Sequence, residues 1–225
     1  HITPDIDQST ARATIFLDRP TTQDLPFSME ITNAKPPIVR QAVIPAGKEK
    51  FDLRIDIPSA RLWTLDDPFL YDVRVKVSND DLKTYFGMRK ISVVDLPGTW
   101  FPYIALNNQP IYLQLTLDQS YHPDGFYTFP TDAFMREEIE RAKAIGLNGI
   151  RPHIKVEIPR KLYWADKLGM LVMADLPNSW GEPDRAMQHE SEQTLRDMIH
   201  RDYNHPSIFS WILFNETWGL RTNIT

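Results

Sequence analysis

The chain has 225 residues, of which 42% are hydrophobic and 24% charged, a composition typical of a globular protein with one large domain or two modest ones. Its net charge of -5 and the lack of any lysine and arginine cluster argue against nucleic acid as a partner. The absence of cysteine excludes disulfides, thiolate-bound zinc and thiol nucleophiles, and no apolar run is long enough to span a membrane.

The first part of the chain alternates apolar and polar residues with a period of two, which is typical of strands half buried in a sheet. Residues 51–57 and 71–77 show the alternation clearly, and turn-forming clusters such as 34–37 and 78–81 separate the runs. About seven such strands before residue 96 predict an immunoglobulin-like β-sandwich. This prediction depends on pattern and length, because the cysteine and tryptophan hallmarks of antibody domains are absent.

Beyond residue 96, short apolar runs alternate with amphipathic helical stretches, the pattern of βα units around a parallel sheet. The candidate strands are residues 111–115, 149–151, 171–174 and 208–214, and the candidate helices are residues 131–146, 158–168 and 188–203. Thr131 is the expected N-cap of the first helix, and Gly146 the residue just past its end. The sequence therefore predicts two domains, residues 1–96 and 97–225.

The last candidate strand ends abruptly in an amide, a carboxyl group and an indole, contributed by Asn215, Glu216 and Trp218. A parallel strand delivers such residues to the carboxyl edge of its sheet, where catalytic groups of barrel enzymes gather. Beside Trp218 and the apolar strand, the ionised form of Glu216 would be desolvated, which suits a general acid. The alternative is that Glu216 only caps the N-terminus of the next helix.

Polar or aromatic side chains follow the other candidate strands as well. They are Asp118 and His122 after the first strand, Arg151 and His153 after the second, and Asp175 and Trp180 after the third. A saccharide site needs hydroxyl-binding polar groups together with an aromatic platform, so these residues are candidate substrate ligands. Individually they have simpler interpretations, His153 as a hydrogen-bonded structural histidine and Asp175 as a loop cap.

Four motifs resemble those of glycoside hydrolase family 2, the family of β-galactosidases, β-glucuronidases and β-mannosidases. They are residues 62–71 (LWTLDDPFLY), 86–90 (FGMRK), 108–113 (NQPIYL) and the stretch from 205–208 (HPSI) to Asn215 and Glu216. The resemblance implies an immunoglobulin-like sandwich followed by the first four βα units of a TIM (β/α)8 barrel. It also implies a retaining exo-β-glycosidase in which Asn215 binds near the sugar 2-hydroxyl and Glu216 protonates the leaving oxygen.

Two departures from the family pattern concern the candidate site. Arg151 and His153 are two positions apart, whereas classical members place these residue types three apart. After the third strand, where metal-dependent members carry a Glu-x-His magnesium pair, this chain has Asp175 followed by LPNSW. Neither a metal nor any other cofactor is therefore expected.

The resemblance also implies that the nucleophilic glutamate comes from a later strand, beyond Thr225. The chain is therefore expected to be inactive alone, as part of a retaining exo-β-glycosidase whose partner is a carbohydrate substrate. The alternative is a non-catalytic carbohydrate-binding or assembly module. If the strands belong to a barrel, residues 111–115 and 208–214 are exposed edges that could pair two copies into a homodimer. No targeting signal is present, so the localisation is not assigned.

Overall fold

The computed structural model describes residues 1–178 and 183–216, and its first part is a sandwich of two antiparallel sheets. The strands are β1 Ile2–Asp5, β2 Thr10–Phe16, β3 Leu25–Ile31, β4 Ile38–Ile44, β5 Lys50–Asp56, β6 Tyr71–Val77 and β7 Asp80–Phe86. One sheet has the order β1-β2-β5 and the other β4-β3-β6-β7. The predicted β-sandwich is confirmed.

Alternation along each strand builds the core of the sandwich. In β3, Phe27, Met29 and Ile31 are each at most 3% exposed, whereas the residues between them are partly exposed. In the neighbouring β6, Tyr71 and Val73 face the same interior. Burial of one such side chain contributes about 1.5–3 kcal/mol, so the alternation that reveals the strands is also the main source of their stability.

Tyr71, the first residue of β6, joins the sandwich to the chain that precedes it. Its hydroxyl oxygen accepts a hydrogen bond from the Arg61 backbone N–H at 2.7 Å, and its ring stacks on Phe86 with centroids 5.3 Å apart. Burial raises the pKa of the Tyr71 hydroxyl. A tyrosine at the start of the sixth strand that bonds to upstream backbone is the tyrosine corner of immunoglobulin-like sandwiches.

We expect Tyr71→Phe to reduce the free energy of unfolding by about 1 kcal/mol, because it removes the hydroxyl partner of Arg61 and retains the stacked ring. Urea denaturation followed by circular dichroism measures this change. Tyr112→Phe is the control, since Tyr112 is 70% exposed. Equal stabilities of the two variants would contradict a structural role for the Tyr71 hydroxyl.

A third antiparallel sheet follows the sandwich. Its strands are β8 Ile91–Asp95, β9 Pro102–Leu106 and β10 Gln109–Pro110, in the order β10-β9-β8. The chain divides by its contacts into two compact units, His1–Ile111 and Tyr112–Thr225. The sequence pattern changes near residue 96, but the division falls later because this hairpin sheet belongs to the first unit.

The second unit alternates strands and helices around a parallel sheet, as predicted. Its elements are β11 Leu115–Asp118, α1 Asp132–Ala144, β12 Gly149–Pro152, α2 Pro159–Leu168, β13 Leu171–Asp175, α3 Arg185–Asp202 and β14 Ile208–Ile212. The sheet order is β11-β12-β13-β14, with all pairs parallel. Helices pack on the sheet through Ile139, Leu162 and Met198. No helix in the described part is long and apolar enough to cross a membrane.

The predicted first and last strands are the edge strands of this sheet, but their predicted residue bounds were wrong. The first strand begins at Leu115 rather than 111, because the Ile111 N–H bonds to the Ile104 carbonyl and the Gln114 N–H to the Asn148 side chain. The last strand ends at Ile212 rather than 214.

The ends of α1 agree with the sequence. Thr131 accepts a hydrogen bond from the Phe134 N–H at 3.0 Å, which confirms it as the N-cap. Gly146 has φ +91° and donates to the Lys143 carbonyl, while Leu147 donates to Ala142. These two bonds form a Schellman motif, in which the left-handed residue is most often glycine.

Candidate active site

The carboxyl ends of the parallel strands bring the candidate residues to one rim. Asp118, the last residue of β11, pairs with Pro152 of β12, and Asp175, the last residue of β13, pairs with Ile212 of β14. The His153 N–H donates to the Asp118 carbonyl at 2.8 Å. The four strand ends therefore form one edge, as the sequence pattern indicated.

Arg151 and Asp175 form a multiply bonded ion pair at this rim. The Arg151 Nε lies 3.0 and 3.1 Å from the two carboxylate oxygens of Asp175, and its Nη2 lies 2.9 Å from Oδ2. The Asp175 side chain is 0% exposed and that of Arg151 26%. A carboxylate this deeply buried requires a counter-charge, and the fork of the guanidinium supplies one with defined geometry.

Asn215 is attached to the same pair. Its Oδ1 accepts from the Arg151 Nη2 at 3.0 Å, and its backbone N–H donates to the Asn178 Oδ1 at 2.6 Å. Asn178 also donates to the Leu213 carbonyl, so one side chain holds the turn that follows β14. Within the described ranges no group accepts a hydrogen bond from the Asn215 Nδ2.

His153 lies beside the ion pair. Its Nδ1 is 3.4 Å from the Asp175 Oδ2, and its side chain is 16% exposed. A carboxylate next to Nδ1 favours the tautomer that leaves Nε2 as an acceptor. Arg151, His153, Asp175 and Asn215, here termed the rim cluster, are thus four predicted ligands that the fold brings together.

Glu216 directly follows Asn215 but is not enclosed as expected. Its side chain is exposed, and Trp218, on which the predicted desolvation also depends, lies outside the described residues, so that desolvation stays a prediction. Its backbone has φ +51°, a left-handed conformation that is uncommon for residues with a side chain and is concentrated at functional sites. Trp180 and Trp218 lie outside the described residues, as does the segment that Glu216 would cap.

Asp118 has a different environment from the rim cluster. Its Oδ2 accepts from the Lys161 Nζ at 2.5 Å, and its Oδ1 accepts from the Ser120 N–H at 2.7 Å. Lys161 also bonds to Glu138 at 3.2 Å, although its own side chain is only 1% exposed. The expectation that Asp118 binds substrate is therefore not supported by its contacts, which bind a buried ammonium group.

Lys161 is held in its charged form by the surrounding acids. Burial would lower its pKa, but the charge and hydrogen bond of Asp118, with the charges of Glu138 and Glu157, outweigh that effect and raise it. Ser120 completes the cluster by donating to the buried Glu157 at 2.6 Å. These five residues, here termed the lysine cluster, fix the start of the loop that follows β11.

His122 is also separate from the rim cluster. Its Nδ1 accepts from the Asp124 N–H at 3.2 Å, and its ring meets Phe134 of α1 edge to face at 5.3 Å. Its backbone pairs with that of Phe126 through two bonds of 2.8 Å. The contacts of His122 thus organise its own loop, and the prediction that it binds substrate gains no support.

Sequence reasoning missed Lys161, Asn178 and Glu157. A lysine on a helix is ordinarily exposed, and nothing in the local sequence of α2 marks position 161 as buried. Asn178 follows Asp175 closely, and an asparagine after a strand end is a recognisable turn former. In the described part of the chain, no group of three or more His, Cys, Asp or Glu side chains is arranged to hold a metal ion.

Comparison of the sequence with known proteins identifies a matching family and several relatives. The model of glycosyl hydrolases family 2 matches residues 1–89. A beta-galactosidase of Thermoanaerobacterium thermosulfurigenes is 30% identical over 184 residues, which are 79% of this chain and 24% of that protein. A putative beta-glucuronidase of Formosa agariphila is 25% identical over 206 residues, 86% of this chain and 19% of that protein. The family model and these relatives support the assignment of this chain to glycosyl hydrolase family 2.

Solved structures share the fold of this chain. The b-glucuronidase from Ruminococcus gnavus in complex with D-glucuronic acid has a TM-score of 0.78 at 19% identity, covering 98% of this chain and 37% of that one. The family 2 beta-galacturonidase from Eisenbergiella tayi bound to galacturonate has a TM-score of 0.74 at 24% identity, covering 94% and 38%. The chain thus spans only a part of the proteins it resembles, in sequence and in structure.

Proposed function

We propose that this chain supplies the sugar-binding and acid/base side of the active site of a retaining exo-β-glycosidase. The observation that carries the proposal is the buried bonding of Arg151 to both Asp175 and Asn215 at the carboxyl edge of a parallel sheet, with Glu216 next in the chain. In the proposed architecture, residues 1–96 are the immunoglobulin-like domain and residues 97–225 contribute the first four βα units of a TIM barrel.

Each residue of the rim cluster has a proposed role toward a terminal β-linked sugar. The Asn215 Nδ2 donates to a hydroxyl near C2, and the His153 Nε2 and the exposed part of the Arg151 guanidinium contact neighbouring hydroxyls. Asp175 holds Arg151 and His153 in place and is a positioning residue. Glu216 protonates the glycosidic oxygen as the bond to the sugar breaks, and its exposure leaves it accessible to the leaving group.

The same geometry supports binding without turnover by these 225 residues alone. A retaining glycosidase needs a second carboxylate about 5–5.5 Å from the acid, free to attack the sugar. Asp175 is unsuited to that role, because both of its oxygens are bonded to Arg151. The family resemblance attributes the nucleophile to a later strand. The substrate class that the relatives suggest is a β-galactoside or a β-glucuronide.

Calorimetric titration of the chain with galactose and with glucuronate tests the binding role. We expect Asn215→Ala to weaken the binding of whichever sugar binds by about tenfold, the loss of one or two hydrogen bonds. Asn79→Ala is the control, because Asn79 lies exposed between β6 and β7. Equal affinities of both variants, or no binding by the parent chain, would refute the role of the rim cluster.

Turnover is tested with p-nitrophenyl β-glycosides under the same conditions. We expect none above the level of Glu216→Gln. Hydrolysis by the parent chain that disappears in Glu216→Gln would contradict binding without turnover and would support Glu216 as the acid/base.

A non-catalytic assembly module is the second candidate. It is favoured by the position of β11 and β14 at the two edges of the described sheet, and by a cleft of about 560 Å³ between β11 and α1. Unpaired strand edges are templates for pairing with another chain. A homodimer formed through these edges would show as concentration-dependent mass in light scattering, and a monomer at all concentrations would exclude it.

A further inference from the structure

An aromatic patch stands on the loop that connects β11 to α1. Tyr121, Phe126 and Tyr127 are 59%, 62% and 63% exposed. Their rings contact one another edge to face, with Tyr121 5.9 Å from Phe126 and 6.2 Å from Tyr127. These three residues, here termed the aromatic platform, have no role in the rim cluster or the lysine cluster.

The loop beneath the platform is internally bonded. Besides the two backbone bonds between His122 and Phe126, the Thr128 N–H and hydroxyl both donate to the Gly125 carbonyl, at 2.8 and 2.7 Å. A side chain at position 125 would collide with the Thr128 carbonyl oxygen, so only glycine fits there. The platform is therefore presented by a tight, defined turn, and stacking on it costs little additional ordering.

Phe126 is costly for folding in two respects. Its backbone has φ +52°, a conformation that glycine or asparagine adopts with less strain. Its ring remains mostly exposed, so burial does not offset that strain. A strained backbone that holds an exposed aromatic ring is better explained by binding than by stability.

The other side of the loop is anchored. The Phe129 ring lies 4.7 Å from the Lys161 Nζ and 5.5 Å from the Lys155 Nζ, and it packs against Phe134 of α1 at 6.3 Å. Lys155 is also 5.4 Å from the Tyr127 ring. The lysine cluster thus fixes the base of the loop while Tyr121, Phe126 and Tyr127 remain exposed.

The platform is connected to the rim cluster through the strand ends. Its loop starts at Asp118, whose carbonyl accepts the His153 N–H, so the loop begins at the same edge as the polar groups proposed to bind the terminal sugar. Sugar rings carry an apolar C–H face and polar hydroxyls, and aromatic rings next to convergent polar groups match both.

We propose that the aromatic platform binds the second pyranose ring of a β-linked saccharide, the ring released when the terminal glycosidic bond is cut. This inference rests on the proposed function for the terminal sugar and adds the substrate class, which is a saccharide rather than a glycoside of a small alcohol. One of the two tyrosines stacks on the apolar face of that ring, and the other, whose ring is nearly perpendicular to the first, contacts the edge of the sugar, while Phe126 packs against Tyr121.

Calorimetric titration of the full 225-residue chain tests the platform. The probes are galactose, glucuronate and mannose, each alone and as the terminal unit of a β-linked disaccharide. We expect one disaccharide to bind about tenfold tighter than its monosaccharide, and Tyr121→Ala with Tyr127→Ala to abolish that gain while monosaccharide affinity stays unchanged. Tyr121→Phe with Tyr127→Phe should keep the gain, because stacking needs the ring and not the hydroxyl.

Tyr112→Ala is the matched control, since it removes a tyrosine that is 70% exposed in the same unit. Circular dichroism checks that each variant is folded. A gain that survives the double alanine variant, or no gain with normal monosaccharide binding, overturns the platform and leaves the proposed function standing. A disaccharide that depends on the two tyrosines without any monosaccharide binding supports the platform and refutes the rim cluster. Binding of no probe refutes both.

Discussion

Replacement of Asp175 by alanine is expected to lower the free energy of unfolding by about 3–5 kcal/mol, the usual cost of removing one partner of a buried ion pair. Asp175 is 0% exposed and bonded to Arg151 through three close contacts. Without it, the guanidinium must either stay partly buried with only the Asn215 amide as a partner or move out of the rim cluster. Both outcomes also disturb His153.

Asp175→Asn removes the charge of the side chain but keeps its shape, so it tests the two contributions separately. The amide retains one acceptor oxygen for Arg151 and fills the same volume, so we expect a smaller loss of stability than for alanine. Asp197→Ala is the control, because Asp197 is exposed on α3, and its effect should stay within about 0.5 kcal/mol. Urea denaturation curves of the three variants provide the comparison.

Sugar affinity provides a second measurement for these variants. If Asp175 positions Arg151 and His153, then Asp175→Asn should weaken sugar binding even where the protein is fully folded. A variant with unchanged stability would contradict the buried pair, and a stable variant with unchanged affinity would contradict the positioning role.

The features that sequence reasoning predicted correctly are those set by local chemistry. Thr131 and Gly146 end α1 as expected, because a capping hydroxyl and a left-handed residue act on their own backbone. Alternation in β3 and β6 predicted the sandwich for the same reason. The first strand of the second unit was misplaced, because the apolar run at 111–113 has the composition of a strand while its hydrogen bonds go elsewhere.

In the candidate site, too, some positions could be predicted from the sequence and others could not. Arg151, His153, Asp175 and Asn215 were predictable because the ends of parallel strands meet at one edge. Glu216 was assigned to the same edge, but its exposure depends on how the chain turns after β14, which no pattern within the strand specifies.

Lys161 was not predictable at all. Its burial results from acids that come from three separate parts of the chain, Asp118, Glu138 and Glu157. In sequence it is one more charge on an amphipathic helix. Only the packing of α1 and α2 beside the end of β11 converts it into the centre of a cluster.

Lys161→Met is therefore the second substitution expected to have a large effect. It keeps the length and apolar stem of the side chain but leaves Asp118 and Glu138 without their ammonium partner, whereas the buried Glu157 keeps its ion pair with Lys155. We expect a loss of about 3–5 kcal/mol at neutral pH, as for other buried pairs broken on one side. Lys167→Met is the control, because Lys167 is exposed on the same helix.

The difference in unfolding free energy between the parent chain and Lys161→Met depends on pH with a definite sign. The pKa of Lys161 is raised above the ordinary lysine value of 10.5, so the folded state holds its proton more tightly than the unfolded state. The stabilisation is then fully present below pH 10.5 and is lost as the pH rises through the folded-state pKa. The difference between the parent and Lys161→Met should stay constant from pH 7 to about pH 10 and shrink above that.

Comparing the parent chain with Lys161→Met at each pH removes the contributions of the other titrating groups to the free energy of unfolding. Burial also raises the pKa of the Tyr71 hydroxyl, so its contribution to the free energy of unfolding is lost in the same alkaline range. Tyr71 is present in both proteins, and its contribution therefore cancels in the difference. Urea denaturation between pH 7 and pH 11 measures the difference. A gap between the two proteins that widens above pH 10.5 would mean that the acids around Lys161 do not hold its charge in the folded state. In that case the base of the loop that carries the aromatic platform would need another explanation.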